Sequence, residues 1–217
     1  VSAHLINGIT LNKKEYHMGH LIISLVGVAV SFLSLSFVFN ARPSRVHNAI
    51  SATLALIFIY FLCNIWQEMS ASVRGWTVSM QFTYIVSVLN CYVLGVTLTK
   101  IIGDKLPRWQ RIIALVIVHI CMGIFATIGS SRLYFSEINM IENPANADLF
   151  IFETVKGPLY TVANVLIIVL TLLMLIPVFV RLYHVKGYGV VFIKLVLVTG
   201  MMNPVFFVIS LTGLVSS

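Results

Sequence analysis

The sequence predicts an all-α integral membrane protein, and three observations carry that prediction. The chain is 59% apolar and only 10% charged, with a mean hydropathy of +0.99, whereas soluble domains carry about 25% charge. No charge interrupts Tyr16–Ala41, Val46–Gln67, Gly75–Thr99, Ile112–Ser131, Gly157–Val180 or Leu195–Ser217. Each run supplies the roughly 20 apolar residues needed to cross a bilayer. Lipid admits only helices and closed barrels, and these unbroken runs lack the short alternating segments of barrel strands. The expectation is six transmembrane helices, at about 16–40, 47–70, 76–100, 108–131, 157–183 and 189–213, forming a single domain over 1–217.

Lys and Arg in the short loops set the expected orientation. Arg42 and Arg45 follow the first helix; Lys100, Lys105, Arg108 and Arg111 follow the third against Asp104; Arg181 and Lys186 follow the fifth. On the other side Lys13, Lys14, Arg74, Arg132 and Lys156 are diluted by Glu15, Glu68, Glu137, Glu142, Asp148 and Glu153. The first side is therefore expected in the cytoplasm, with the N-terminus and Ser217 extracellular. The formal charge of +7 is then mostly a cytoplasmic rim, which argues against a nucleic-acid partner.

Residues 1–15 form a polar lead-in to the first helix. His17 and His20 stand three apart at its outer end; the spacing would allow a metal pair, but a complete site needs more ligands, and an interfacial role is the simpler reading. Arg42-Pro43-Ser44-Arg45 makes a tight turn into the second helix. There Tyr60, Asn64 and Glu68, spaced four apart, form one polar stripe. Gln81 and Tyr84 begin a second stripe beyond a short break, and two helices joined by so short a loop are neighbours. Trp66 and Trp76 near the outer boundary and Trp109 near the inner one read as an aromatic belt. Pro107 opens the fourth helix. His119, near mid-membrane, reads first as a hydrogen bond to a neighbouring helix and second as a proton relay. Cys63, Cys91 and Cys121 sit inside apolar runs as small core residues.

Residues 132–156 are the one long connection. Leu-Tyr-Phe-Ser-Glu-Ile-Asn and Leu-Phe-Ile-Phe-Glu-Thr-Val flank the turn-rich Glu-Asn-Pro-Ala-Asn-Ala-Asp, which predicts an extracellular β-hairpin. Tyr134, Phe135, Phe150 and Phe152 should make it pack over the outer mouth. Pro158 suits a first helical turn, and Tyr160 and Asn164 then share a face. Pro177 should bend the fifth helix. Lys194 can snorkel to the cytoplasmic end of the sixth, and Asn203-Pro204 should kink it. Asn203-Pro204-Val205-Phe206-Phe207 is similar to the Asn-Pro-x-x-Tyr motif of G-protein-coupled receptors, but with Phe207 in place of Tyr it reads as a generic proline kink.

The expected ligand site opens outward between the second, third and fifth helices, on Asn64, Glu68, Gln81, Tyr84, Tyr160 and Asn164. Polar side chains facing lipid in that half of the membrane would be costly. Three readings of Glu68 stand: a carboxylate solvated or paired with Arg74, a counter-charge for a ligand, or an interhelical hydrogen bond. No catalytic constellation, metal set or cofactor motif is expected, since His17, His20 and His119 are scattered.

Several phrases, in this order, resemble the N-terminal seven-transmembrane sensor region of bacterial histidine kinases and diguanylate cyclases. Glu68 and Ser70 close the second helix, and Phe82-Thr83-Tyr84-Ile85-Val86 opens the third. Leu106-Pro107-Arg108 precedes the fourth helix, Gly129 to Phe135 follows it, and Gly157-Pro158-Leu159-Tyr160 opens the fifth. The resemblance implies an extracellular N-terminus, seven helices and a cytoplasmic output domain. This chain stops after six predicted helices and carries no phosphoacceptor-histidine or cyclase motif, so a fragment is expected, itself no enzyme. The implied function is a cell-membrane receptor that binds an extracellular small molecule and signals to an attached kinase or cyclase, as a homodimer. The alternative is a small-molecule or ion transporter or channel subunit, but no inverted repeat or matched pair of broken helices favours it.

Overall fold

The computed structural model describes residues 2–40, 46–103, 105–142 and 150–183, with side chains in the first segment from Gly19 onward. Five α-helices and one hairpin run in the order α1 (Ser2–Asn40), α2 (His47–Glu68), α3 (Val73–Ile101), α4 (Arg108–Ala126), β1 (Phe135–Glu142), β2 (Phe150–Lys156) and α5 (Pro158–Tyr183). All five helices contain a span long and apolar enough to cross a membrane. The chain is thus a multi-pass membrane protein. The predicted sixth helix, with Lys194 and Asn203-Pro204, lies outside the described residues, as do the Arg42–Arg45 turn and the centre of the hairpin loop.

α3 is the central helix. It packs on α2, α4 and α5, while α2 also packs on α1, and α4 on α5. Between apolar helices in lipid, close backbone approach and buried hydrogen bonds replace hydrophobic contrast as the source of association. Both devices are present. At Gly95 of α3 an added Cβ would stand 2.7 Å from Met174 Cβ of α5. Thr53 and Thr97 hydroxyls meet at 2.9 Å between α2 and α3, and Cys91 Sγ lies 3.5 Å from Thr171 Oγ1 between α3 and α5. The Gln110 amide of α4 donates to the Leu173 carbonyl of α5. Cys63, Cys91 and Cys121 are free thiols, the first and last buried. Large apolar side chains cover the outside, among them Ile23, Phe32 and Phe37 of α1, as a lipid-facing surface requires and a water-facing one would not tolerate in such density.

Several boundaries depart from expectation. α1 continues back to Ser2 instead of starting near Tyr16, because no proline separates the polar lead-in from the apolar run. α4 stops at Ala126, five residues before the predicted 131. The Thr127 hydroxyl turns back to the Ile124 carbonyl and the Ser130 hydroxyl to the Thr127 carbonyl. Gly129 then adopts φ +75°, which L side chains resist. The short α2–α3 break is built by Ser70, whose hydroxyl bonds the Trp66 carbonyl, and by Ser72, whose side chain caps α3 by accepting from the Gly75 N–H at 3.1 Å.

The predicted hairpin is present. β1 and β2 pair antiparallel, with Asn139 opposite Glu153 and a register irregularity between Phe135 and Glu137. Its root is fixed to α5: the Gly157 N–H donates to the Tyr134 carbonyl at 2.7 Å and the Leu159 N–H to the Leu133 carbonyl at 2.8 Å. A Cβ at residue 157 would stand 2.5 Å from the Leu133 oxygen, so only glycine permits this approach. α5 starts at Pro158, and Pro177 lies within it.

Two more expectations are corrected. His119 bonds the Leu115 carbonyl of its own helix at 2.7 Å and is exposed; among the described residues it makes no bridge to a neighbouring helix, because its position falls on the face of α4 turned away from α3 and α5. Trp76 is buried and stacks on Phe152 at 5.1 Å, so it belongs to the hairpin's packing and not to a lipid-facing belt. Trp66 and Trp109 are exposed, as belt residues should be.

Candidate functional site at the hairpin end of the bundle

The turn between α2 and α3, the turn after α4 and the root of the hairpin all lie at one end of the bundle. An aromatic cluster ties them together. Tyr134 stands at its centre, fully buried. It contacts Phe135 at 4.7 Å, Tyr160 at 5.3 Å, Phe125 at 5.4 Å and Tyr84 at 5.6 Å between ring centroids. Tyr84 also stacks on Phe125 at 4.9 Å. Rings from α3, α4, β1 and α5 therefore form one packed unit, in the edge-to-face and stacked arrangements that aromatic quadrupoles favour. The Lys156 ammonium sits 5.1 Å over the Tyr160 ring.

The Tyr134 hydroxyl is buried without a hydrogen bond among the described residues. Burial pushes its phenol well above the ordinary tyrosine range, and the neighbouring Tyr84 adds to that shift. The group is a neutral phenol in any ordinary buffer.

Four of the six residues singled out from the sequence surround or support this cluster. Tyr84 and Tyr160 are part of it. Asn164 donates to the Tyr160 carbonyl one turn back at 2.8 Å and is a polar neighbour of Tyr134. Gln81 reaches the end of α4, donating to the Ile128 carbonyl at 2.6 Å and the Ala126 carbonyl at 3.2 Å. It thereby satisfies carbonyls that a helix end leaves without partners.

The other two sit elsewhere. Asn64 is buried on α2. Glu68 pairs with His20 of α1, Oε1 to Nδ1 at 3.2 Å. The two polar stripes thus serve different neighbours: Glu68 serves the α1–α2 contact and Gln81 the α3–α4 contact. His20 acquires a definite role as an interhelical partner.

Beside the cluster lies an open groove of about 500 Å³. Its lining includes Arg74 and Thr77 of α3, Gly129 and Arg132 of the turn after α4, and Phe135 and Glu137 of β1. Sequence reasoning counted Arg132 only as a loop charge, and Arg74 as a loop charge or a partner for Glu68. Their meeting depends on folding residues far apart in the chain, and the one local signal was the turn-prone Gly129-Ser130-Ser131 before Arg132. Among the described residues, no group of three His, Cys, Asp or Glu is placed to hold a metal ion. Comparison with protein-family models, with curated proteins and with solved structures gives no match.

Proposed function

We propose that the chain is the membrane-embedded sensing module of a signalling protein. It lies in the cell membrane with its N-terminus and hairpin outside, binds a small molecule at the hairpin end, and passes a helix displacement to an output domain on the cytoplasmic side. A kinase or cyclase is the output that the sequence resemblance implies, acting through a homodimer. The observation that carries this reading is the mechanical continuity of the hairpin end. Two backbone hydrogen bonds join the hairpin root to the first turn of α5, and the Tyr134 cluster joins it to α3 and α4. A ligand that favours one arrangement of the hairpin must therefore favour one arrangement of three helices, and it shifts their population by its difference in affinity for the two. Among the described residues, Thr53–Thr97 and Gln110–Leu173 are polar contacts that tie helices together, a role that fits a packed sensing bundle.

The reading frame beyond Ser217 tests this directly. An in-frame kinase or cyclase domain is expected. A stop codon shortly after this segment, together with solute uptake by proteoliposomes carrying the protein, would overturn the reading in favour of a transporter.

A further inference from the structure

We infer that the groove between the start of α3 and β1 is a binding site for a small ligand bearing an oxyanion, a carboxylate or phosphate, held by Arg74 and Arg132. This deepens the sensing reading and rests on it for its biological meaning, though not for its chemistry. The groove's volume of about 500 Å³ falls in the range of small-ligand sites, roughly 300–1,000 Å³.

The donors inside the groove are unevenly committed. Thr77 donates to the Arg74 carbonyl, Ser130 and Ser131 to the Thr127 carbonyl, and Ser136 to the Val155 carbonyl. These hydroxyls are spent on their own backbone and stiffen the walls. The two guanidiniums are exposed, and among the described residues neither has a carboxylate partner. Each offers five N–H donors in a planar fork that matches a carboxylate or phosphate. Two arginines against one glutamate, Glu137, leave one positive charge in surplus on the lining.

The floor is rigid as well. Gly129 holds φ +75°, and an added Cβ there would meet three Thr77 side-chain atoms at 3.0–3.2 Å. A preformed, stiff, cationic concavity binds at low cost in ordering. The same chemistry would capture a free metabolite or the phosphate of a lipid headgroup, since Arg74 lies in the first turn of a membrane span.

The test uses the whole chain in phosphatidylcholine nanodiscs, titrated calorimetrically with glycerol 3-phosphate and with succinate, and in a second arm doped with phosphatidylglycerol and examined by native mass spectrometry for retained lipid. Saturable binding of either soluble probe, weakened about tenfold by Arg74→Gln and by Arg132→Gln, assigns the site to a free anion. Retention of phosphatidylglycerol that both variants abolish, without soluble binding, assigns it to a headgroup. Arg132→Lys keeps the charge but loses the fork, and it should fail to restore full affinity. Arg111→Gln at the opposite end should change nothing. Absence of all three ligands, or binding indifferent to both groove arginines, overturns the proposal. The signalling reading fails separately: a reading frame with no output domain would remove it, while anion binding lost in both arginine variants would leave the site standing.

Discussion

Truncation of Tyr134 should separate a packed aromatic keystone from an ordinary loop residue. The side chain is fully buried, and four rings surround it within 5.6 Å. Replacing a large buried aromatic with alanine costs about 3–5 kcal/mol, and aromatic pairs add about 0.5–1.5 kcal/mol each beyond area. Tyr134→Ala should therefore fall in the upper part of that range. Tyr134→Phe keeps the ring and removes a hydroxyl with no hydrogen bond among the described residues. Relief of that buried polar group should leave stability unchanged or raise it by up to about 2 kcal/mol. Equilibrium unfolding in mixed micelles measures both, and hydrogen exchange on β1 and β2 shows whether the hairpin detaches. The pH dependence follows from the same burial. A phenol whose folded pKa is raised binds its proton more tightly in the folded state, so its contribution is complete below the ordinary tyrosine value near 10 and declines as pH rises above it. Tyr134→Phe should remove that alkaline loss. A Tyr134→Phe variant as damaged as Tyr134→Ala would refute the reasoning, because it would show the hydroxyl, and not the ring, holding the site.

Two other outcomes are expected. Gly95→Val should destabilise the helix bundle by about 1–3 kcal/mol through overpacking, while Gly123→Val, with nothing among the described residues within 4 Å of an added Cβ, should cost far less; thermal unfolding in detergent compares them. A double-mutant cycle of His20→Ala and Glu68→Gln should give a coupling of up to about 1 kcal/mol, since His20 remains 42% exposed, and cross-linking of α1 to α2 should weaken in both single variants.

The membrane architecture was legible because lipid imposes it locally: each run had to be long, apolar and free of charge, and any window reveals that. The hairpin was legible for a similar reason, since Tyr134 to Asn139 and Phe150 to Val155 combine β-prone residues around a turn. The end of α4 was misplaced because absence of charge was taken as continuation of the helix to Ser131. Thr127-Ile128-Gly129-Ser130-Ser131 carries no charge either, yet its hydroxyls and its positive-φ glycine end the helix. Helical spacing correctly grouped Tyr160 with Asn164. It could not say that Glu68 would face α1 or that Gln81 would reach the end of α4, because those partners lie on other helices. Tyr134 was expected only to be covered; that it forms the centre of the cluster follows from the Gly157–Tyr134 bond at the hairpin root, a tertiary event. The arginine groove was hidden for the same reason.

The central claim, that the hairpin end is the extracellular receiving face, meets its most direct test in cysteine labelling. In a background with Cys63, Cys91 and Cys121 replaced, Asn139→Cys on β1 and Lys105→Cys between α3 and α4 would each be exposed to a membrane-impermeant maleimide in intact cells. Asn139→Cys should label at once and Lys105→Cys only after permeabilisation. The reverse pattern would place the hairpin in the cytoplasm and contradict the account.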